Sequence, residues 1–188
     1  MKSPIFIISG TPGSSKSSVS VALMQRFKFG LHIPIDDLRE WVVSGVAQPV
    51  PKTTPESDRQ FALARRSAAQ LASTYAKAGF AVAIDDVIDP ENAKNLIEHA
   101  LSPLPVYKVL LRPQLQEALR RNAKRVNKAF DTSILIEVIE RIYTEQDAKA
   151  YQDERWLIMN SGGHTIDETV DNILTHFNLH SFASAPAL

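Results

Sequence analysis

The sequence predicts an α/β protein in which a parallel β-sheet is covered on both faces by helices. Two observations carry this reading. Five short apolar runs alternate along the chain with longer stretches of helical periodicity, the pattern left by a parallel sheet and its crossover helices. The first run, Ile5-Phe6-Ile7-Ile8, leads directly into Gly10-Thr11-Pro12-Gly13-Ser14-Ser15-Lys16-Ser17, a turn between a strand and a helix that matches G-x-x-x-x-G-K-[ST] at every defined position except Ser15.

Strands are expected near 4–9, 30–35, 80–85, 105–111 and 155–160, and helices near 15–27, 36–44, 57–78, 90–101, 113–125, 133–150 and 166–177. Val19, Leu23 and Phe27 fall at helical spacing after the turn. The second strand, Leu31-His32-Ile33-Pro34-Ile35, runs into Asp36-Asp37, and Leu38-Arg39-Glu40-Trp41 begins a helix. Residues 46–55 hold three prolines and two threonines and read as a loop over the site. Gly79 suits the end of the third helix. Asp89-Pro90 reads as an N-cap followed by proline at the first helical position. Thr165 with Glu168 reads as a capping box. The chain is expected to form a single domain over 1–180, with a disordered tail over 181–188.

Composition narrows the function classes. The 188 residues suffice for one full core, and the formal net charge is zero, which speaks against tight nonspecific nucleic-acid binding. Cysteine is absent, so disulfides and thiolate metal sites are excluded and a reducing compartment fits. No apolar stretch reaches membrane-spanning length, and the first run is too short for a signal peptide. The cytoplasm is the expected location.

The glycine-rich turn implies binding of a nucleoside triphosphate. Successive backbone N–H groups and the positive end of the next helix form a cradle for phosphate oxygens. Lys16 would reach the β- and γ-phosphates, and Ser17 would offer its hydroxyl to Mg²⁺. Gly10 and Gly13 can take backbone angles closed to other residues. Ser15 stands where the motif has its last glycine. If that position needs positive φ, serine costs about 1–2 kcal/mol, and its Cβ would crowd the β-phosphate.

Two acidic pairs, Asp36-Asp37 and Asp85-Asp86, stand at expected carboxyl ends of strands, where ligands bind in open parallel sheets. Adjacent carboxylates repel, so each pair calls for a cation or a proton. One of Asp85-Asp86 would hold Mg²⁺, directly or through water, with Asp85 favoured because it follows the strand most closely. One of Asp36-Asp37 would accept the proton of an attacking hydroxyl, and the other would start the helix; both could equally be caps. After the fourth strand, Arg121 and Arg125 share one helix face, with Lys128 close beyond it. Such arginines either stabilise charge on a transferring phosphoryl group or form a solvated face.

Taken together, the phosphate loop, Ile35-Asp36-Asp37-Leu38, Ile84-Asp85-Asp86-Val87, and Leu111-Arg112-Pro113 ahead of the Arg121/Arg125 helix resemble chloramphenicol phosphotransferase and its relatives. These are small P-loop kinases near the shikimate and gluconate kinases and the zeta toxins. The resemblance runs from about residue 5 to residue 174, and Tyr75-Ala76-Lys77-Ala78-Gly79 before the second acidic pair is its more specific part. It implies a three-layer α/β/α fold with a five-stranded parallel sheet in the order 2-3-1-4-5 and a short helical lid over about 121–135. It also implies ATP- and Mg²⁺-dependent phosphorylation of a small-molecule hydroxyl. The family's catalytic base falls on Asp36, its lid arginines fall near Arg121 and Arg125, and the loop near adenine corresponds to Asn160-Ser161-Gly162-Gly163. The expected nucleotide-binding set is therefore Gly10, Thr11, Pro12, Gly13, Ser14, Ser15, Lys16, Ser17, Ser18, Arg121 and Gly162, with Ser17 and Asp85 toward the metal. Two departures stand out: Ser15, and a 46–55 loop unlike that of the antibiotic kinase, so the antibiotic is not implied as acceptor. Two other functions compete with the kinase reading. One is a nucleotide-binding module with little catalysis, which Ser15 favours. The other is a polynucleotide 5′-kinase using Arg39, Arg65 and Arg66, against which the zero net charge counts.

Overall fold

The computed structural model describes residues 3–50, 52–124, 132–146 and 148–179. Strand β1 (Ile5–Ser9) is buried along its whole length. Strands β2 (Gly30–Pro34) and β3 (Ala81–Asp85) lie to one side of it, and β4 (Val106–Leu111) and β5 (Leu157–Met159) to the other. All pairings are parallel and the order is β2-β3-β1-β4-β5. In register, Ile5 stands beside Val82 on one side and Val106 on the other.

Side-chain alternation along these strands builds two cores. Ile5, Ile7, Ile33, Val82, Ile84 and Leu110 point to one face. There they meet α3 (Pro55–Lys77), whose Ala64, Ala68, Ala69, Ala72 and Ala76 form a smooth stripe at helical spacing. Phe6, Ile8, Ala81, Ala83, Val109 and Leu111 point to the other face. They meet α1 (Lys16–Met24) through Val19 and Leu23, and α8 (Ile166–His176) through Val170, Ile173 and Leu174. The central strands are apolar at nearly every position because both of their faces are covered.

The expected caps form. Asp89 Oδ1 accepts from Asn92 N at 2.9 Å ahead of α4 (Pro90–Leu96). Thr165 and Glu168 exchange reciprocal bonds at the start of α8. Gly79, at φ 95, directly follows the last turn of α3. A further capping box, Thr54 with Ser57, starts α3.

Several boundaries differ from expectation. The second strand ends at Pro34, and α2 (Ile35–Glu40) already contains Asp36 and Asp37 in its first turn. The N-cap is Pro34, without a side-chain bond, so neither aspartate caps the helix; both sit at its positive end. The helix expected over 90–101 is α4 followed by a π-turn, Ile97–Leu101. The helix expected over 113–125 is α5 (Leu115–Ala123). The helix expected over 133–150 is broken into a 3-10 turn (Thr132–Leu135), α6 (Ile136–Glu145) and α7 (Ala148–Asp153). Different burial demands on the two halves explain the break. Ile139 packs with Leu135 and Ala118 of α5, whereas Tyr151 of α7 enters the sheet core and donates its hydroxyl to Ile88 O at 2.9 Å. Gln146, with ψ 67, leaves the helical path between them. Arg125, Lys128 and much of the expected lid lie outside the described residues, as do 180–188. Among the described residues no helix is long and apolar enough to cross a membrane.

Candidate active site

The 10–17 loop leaves the carboxyl end of β1 and closes onto the first turn of α1. Its glycines are required by close approach. A Cβ on Gly13 (φ 83) would lie 2.2 Å from the carbonyl oxygen of Ala118, and one on Gly10 (φ 153) would lie 2.4 Å from that of Leu111. The α5 backbone thus rests directly on the loop. Ser15 adopts φ 70 and ψ 24, the left-handed conformation that a glycine takes without strain. Its hydroxyl accepts from Arg121 Nη1 at 3.1 Å. Lys16 folds back over the loop and donates to Thr11 O at 3.2 Å. Ser17 and Ser18 are exposed in the first turn of α1, while the buried hydroxyls of Thr11 and Ser14 have no hydrogen-bond partner among the described residues.

The two acids at the end of β3 have different environments. Asp85 Oδ2 lies 2.6 Å from Nε2 of His32 on β2. Burial pushes the Asp85 carboxyl up, but the His32 bond, the Lys16 charge, and the Ser17 hydroxyl together hold it below its ordinary value. It is therefore a buried carboxylate that stays ionised. Asp86 Oδ2 accepts from Arg65 Nε at 2.6 Å and its Oδ1 accepts from Val87 N at 2.7 Å. Burial, more than the opposing Arg65 charge, raises its pKa, and Asp36 adds to the rise. Both oxygens of Asp86 are thus engaged, one holding Arg65 of α3 to the sheet and the other fixing the turn after β3.

A cleft of about 540 Å³ opens over these groups at the carboxyl end of the sheet. Pro12, Lys16, Ser17, Asp36, Asp85 and Asp86 line its floor. Its walls come from Val46, Gln48, Pro49, Val50 and Thr53 of the loop before α3, from Phe61 and Arg65 of α3, and from Val138, Arg141 and Ile142 of α6. The loop is pinned from below. Arg39 donates to Ala47 O at 2.6 Å and stacks on Phe61 at 4.0 Å. Gln60 donates to Gly45 O at 2.8 Å and accepts from Ala47 N at 3.0 Å.

Lys16, Ser17, Asp36 and Asp85 therefore meet in one cleft, whereas Asp37 does not line it. Arg121 and Gly162 lie on the other flank of the 10–17 loop: Arg121 Nη2 donates to Ser161 O at 3.0 Å, and Gly162 N donates to Asn160 Oδ1 at 3.0 Å. His32 and Phe61 were not singled out from the sequence, Arg39 and Arg65 were named there only as contacts of the polynucleotide alternative, and the pairing of Arg65 with Asp86 was not foreseen. Phe61 and Arg65 share a helix face at i, i+4, a signal that was readable. His32 reaches Asp85 only because β2 pairs in register with β3, His32 standing beside Ala83.

A five-stranded parallel sheet in this order, with a glycine-serine loop closing onto a helix at the end of the central strand, is the fold of the small P-loop kinases. Residues 3–146 match the model of the chloramphenicol phosphotransferase-like protein family, and the chain belongs to that family. Its fold is similar to that of a sugar kinase from Janibacter sp., solved unliganded, with a TM-score of 0.68 at 16% identity over 98% of this chain and 100% of that one. It is similar to a gluconokinase from Sinorhizobium meliloti, with a TM-score of 0.64 at 18% identity over 96% of this chain and 93% of that one. It is also similar to the APS kinase of Mycobacterium tuberculosis, solved with AMPPNP and APS, with a TM-score of 0.63 at 17% identity over 94% of this chain and 98% of that one. No curated protein matches the sequence.

Proposed function

We propose that the protein is an ATP-dependent phosphotransferase that moves the γ-phosphate to a hydroxyl of a small molecule. One observation carries this reading: Lys16, Ser17, Asp85 and Asp36 face a single cleft at the carboxyl end of the sheet. The residues present fit a nucleotide and its metal. The turn into α1 presents exposed Ser17 and Ser18 at the positive helix end, and the hydroxyls of Thr11 and Ser14, without a partner among the described residues, lie within the same loop. Asp85, ionised beside the Ser17 hydroxyl, offers the hard oxygen donors that Mg²⁺ takes. Mg²⁺, when bound, neutralises charge across the β- and γ-phosphate oxygens.

Lys16 would move from Thr11 O onto the phosphates, a short swing within the loop. Asp36, which lines the same cleft as Lys16, accepts the proton of the acceptor hydroxyl. The acceptor oxygen bonds to the γ-phosphorus as the bond to the bridging oxygen breaks. The pinned loop before α3, Phe61 and the apolar face of α6 give the acceptor a partly dry enclosure, which strengthens these electrostatic contacts. Arg121 stands beside the phosphate loop on the side of Gly162, where the adenine end of the nucleotide would lie. The polynucleotide alternative is weakened, since Arg39 and Arg65 are engaged within the fold rather than presented to a strand.

The test is a thermal-shift titration with ATP-Mg²⁺ followed by a radiolabelled transfer assay over a library of small hydroxyl compounds. Stabilisation by ATP-Mg²⁺ together with label on one acceptor class is the expected result. Stabilisation without transfer to any acceptor would favour the binding-module reading, and no stabilisation would remove the nucleotide site.

A further inference from the structure

We infer that the Ser15 side chain, where the motif has glycine, is a positioning residue that holds Arg121 against the phosphate loop. The inference rests on the nucleotide-binding reading above. Ser15 is not merely tolerated. Its left-handed backbone angle turns the side chain toward α5, and Arg121 Nη1 donates to its hydroxyl at 3.1 Å. The same guanidinium donates through Nη2 to Ser161 O at 3.0 Å and through Nε to Glu117 Oε1 at 2.6 Å. Three of its five N–H bonds thus fix its plane. Ser161 Oγ in turn donates to Ser14 O at 3.3 Å.

These contacts form a brace joining the phosphate loop, α5 and the loop after β5. Its fit depends on the close seat of α5 on Gly13, because Arg121 lies one turn beyond Ala118, the residue on which Gly13 packs. A glycine at position 15 would leave the arginine without a partner on the loop. A serine supplies a neutral acceptor that orients the cation without neutralising it. Arg121 is therefore set in place before the nucleotide arrives, so less ordering of its long side chain remains to be done on binding.

The experiment is a double-mutant cycle read by calorimetric titration with ATP-Mg²⁺, using Ser15→Ala, Arg121→Ala and the double variant, together with Ser15→Gly. Ser15→Ala is expected to weaken ATP binding about five- to tenfold, the cost of ordering one long side chain on binding. It should have no effect once Arg121 is Ala. Ser15→Gly separates the hydroxyl from backbone strain. It should raise the urea midpoint of the nucleotide-free protein above that of Ser15→Ala and still show the same affinity loss. A purely structural serine would instead give affinity losses that track the stabilities of the two variants. If Arg121→Ala fails to fold, Arg121→Lys repeats the cycle with the charge kept and the planar fork removed.

Multiplicative losses in the double variant, or Ser15→Gly binding ATP as tightly as the wild type, would overturn the inference and leave the nucleotide site standing. Absence of any ATP binding by the wild type would instead overturn the nucleotide reading, and the inference with it.

Discussion

Replacing Asp85 with Asn removes a single negative charge and nearly conserves shape. The carboxylate is 6% exposed, lies 2.6 Å from His32 Nε2, and is stabilised further by the Lys16 charge and the Ser17 hydroxyl. A hydrogen bond to a charged group contributes about 1.5–3 kcal/mol, so the nucleotide-free variant should unfold in urea with a stability lower by about that amount. The linkage to pH has a definite sign. The folded pKa lies below the ordinary 3.8, so this stabilisation is present above that value and is lost as pH falls through the folded pKa. The gap between wild type and variant should persist at neutral pH and close under strong acid. Nucleotide binding should respond differently with and without metal. Loss of the oxygen donor should weaken ATP-Mg²⁺ binding by about 10–100-fold, the range for disturbing a metal's supporting ligands. Metal-free ATP should bind equally well or more tightly, because a like charge near the triphosphate has been removed. Calorimetric titrations with Mg²⁺ and with a chelator would measure both. Asp86→Asn is the control: its oxygens are engaged by Arg65 and the Val87 N–H, so it should lose stability without a metal-dependent change in affinity. Equal losses for Asp85→Asn in both titrations would show that the carboxylate is structural and refute its assignment to the metal.

Other substitutions test the remaining parts. Lys16→Ala should abolish the thermal shift produced by ATP and also lower nucleotide-free stability, since its charge helps hold the buried Asp85 ionised; an unchanged shift would remove the phosphate-loop assignment. Asp36→Asn should bind ATP normally yet transfer phosphate to the true acceptor about 10²–10⁴-fold more slowly, whereas Asp37→Asn, outside the cleft, should transfer normally; the reverse outcome would swap the two roles. Burial, with Asp89 and Asp86 nearby, pushes the Tyr151 hydroxyl up to about 12. The unfolded chain therefore loses this proton first, and stability should fall as pH rises from the ordinary value of 10.0 toward 12. Tyr151→Phe should lack that component of the alkaline decline, as urea midpoints across this range would show. Gly13→Ala should destabilise by about 2–5 kcal/mol, combining left-handed strain with overpacking against the Ala118 carbonyl; a wild-type urea midpoint would mean that α5 does not sit so close.

The elements that the sequence made legible are those governed by short-range physics. The apolar β1, the turn glycines and the Asp89 and Thr165 caps each depend on residues within a few positions of one another. Backbone sterics, helical period and first-turn hydrogen bonds all act over that range. The 10–17 motif belongs to the same group, because its phosphate cradle is a local backbone conformation, and the departure at Ser15 was readable with it, although its positive φ was seen only in the structure. The sheet order followed from the family resemblance, as no local pattern says which strand lies beside which.

Tertiary structure decided how the ambiguous residues divide. Asp85 and Asp86 are indistinguishable in sequence. The sheet register gives Asp85 to His32, 53 positions away, and the packing of α3 gives Asp86 to Arg65, 21 positions away. Asp36 and Asp37 share one helical turn, and only the placement of α2 beside the cleft separates them. The break at Gln146 carries no glycine or proline, because it arises from two halves of one periodic segment packing against different layers. The partner of Ser15 lies 106 residues along the chain. Local sequence sets which conformations a segment can adopt, whereas pairings over such distances depend on strand order and on which helix covers which face. That is why the phosphate loop was visible in the sequence and its brace was not.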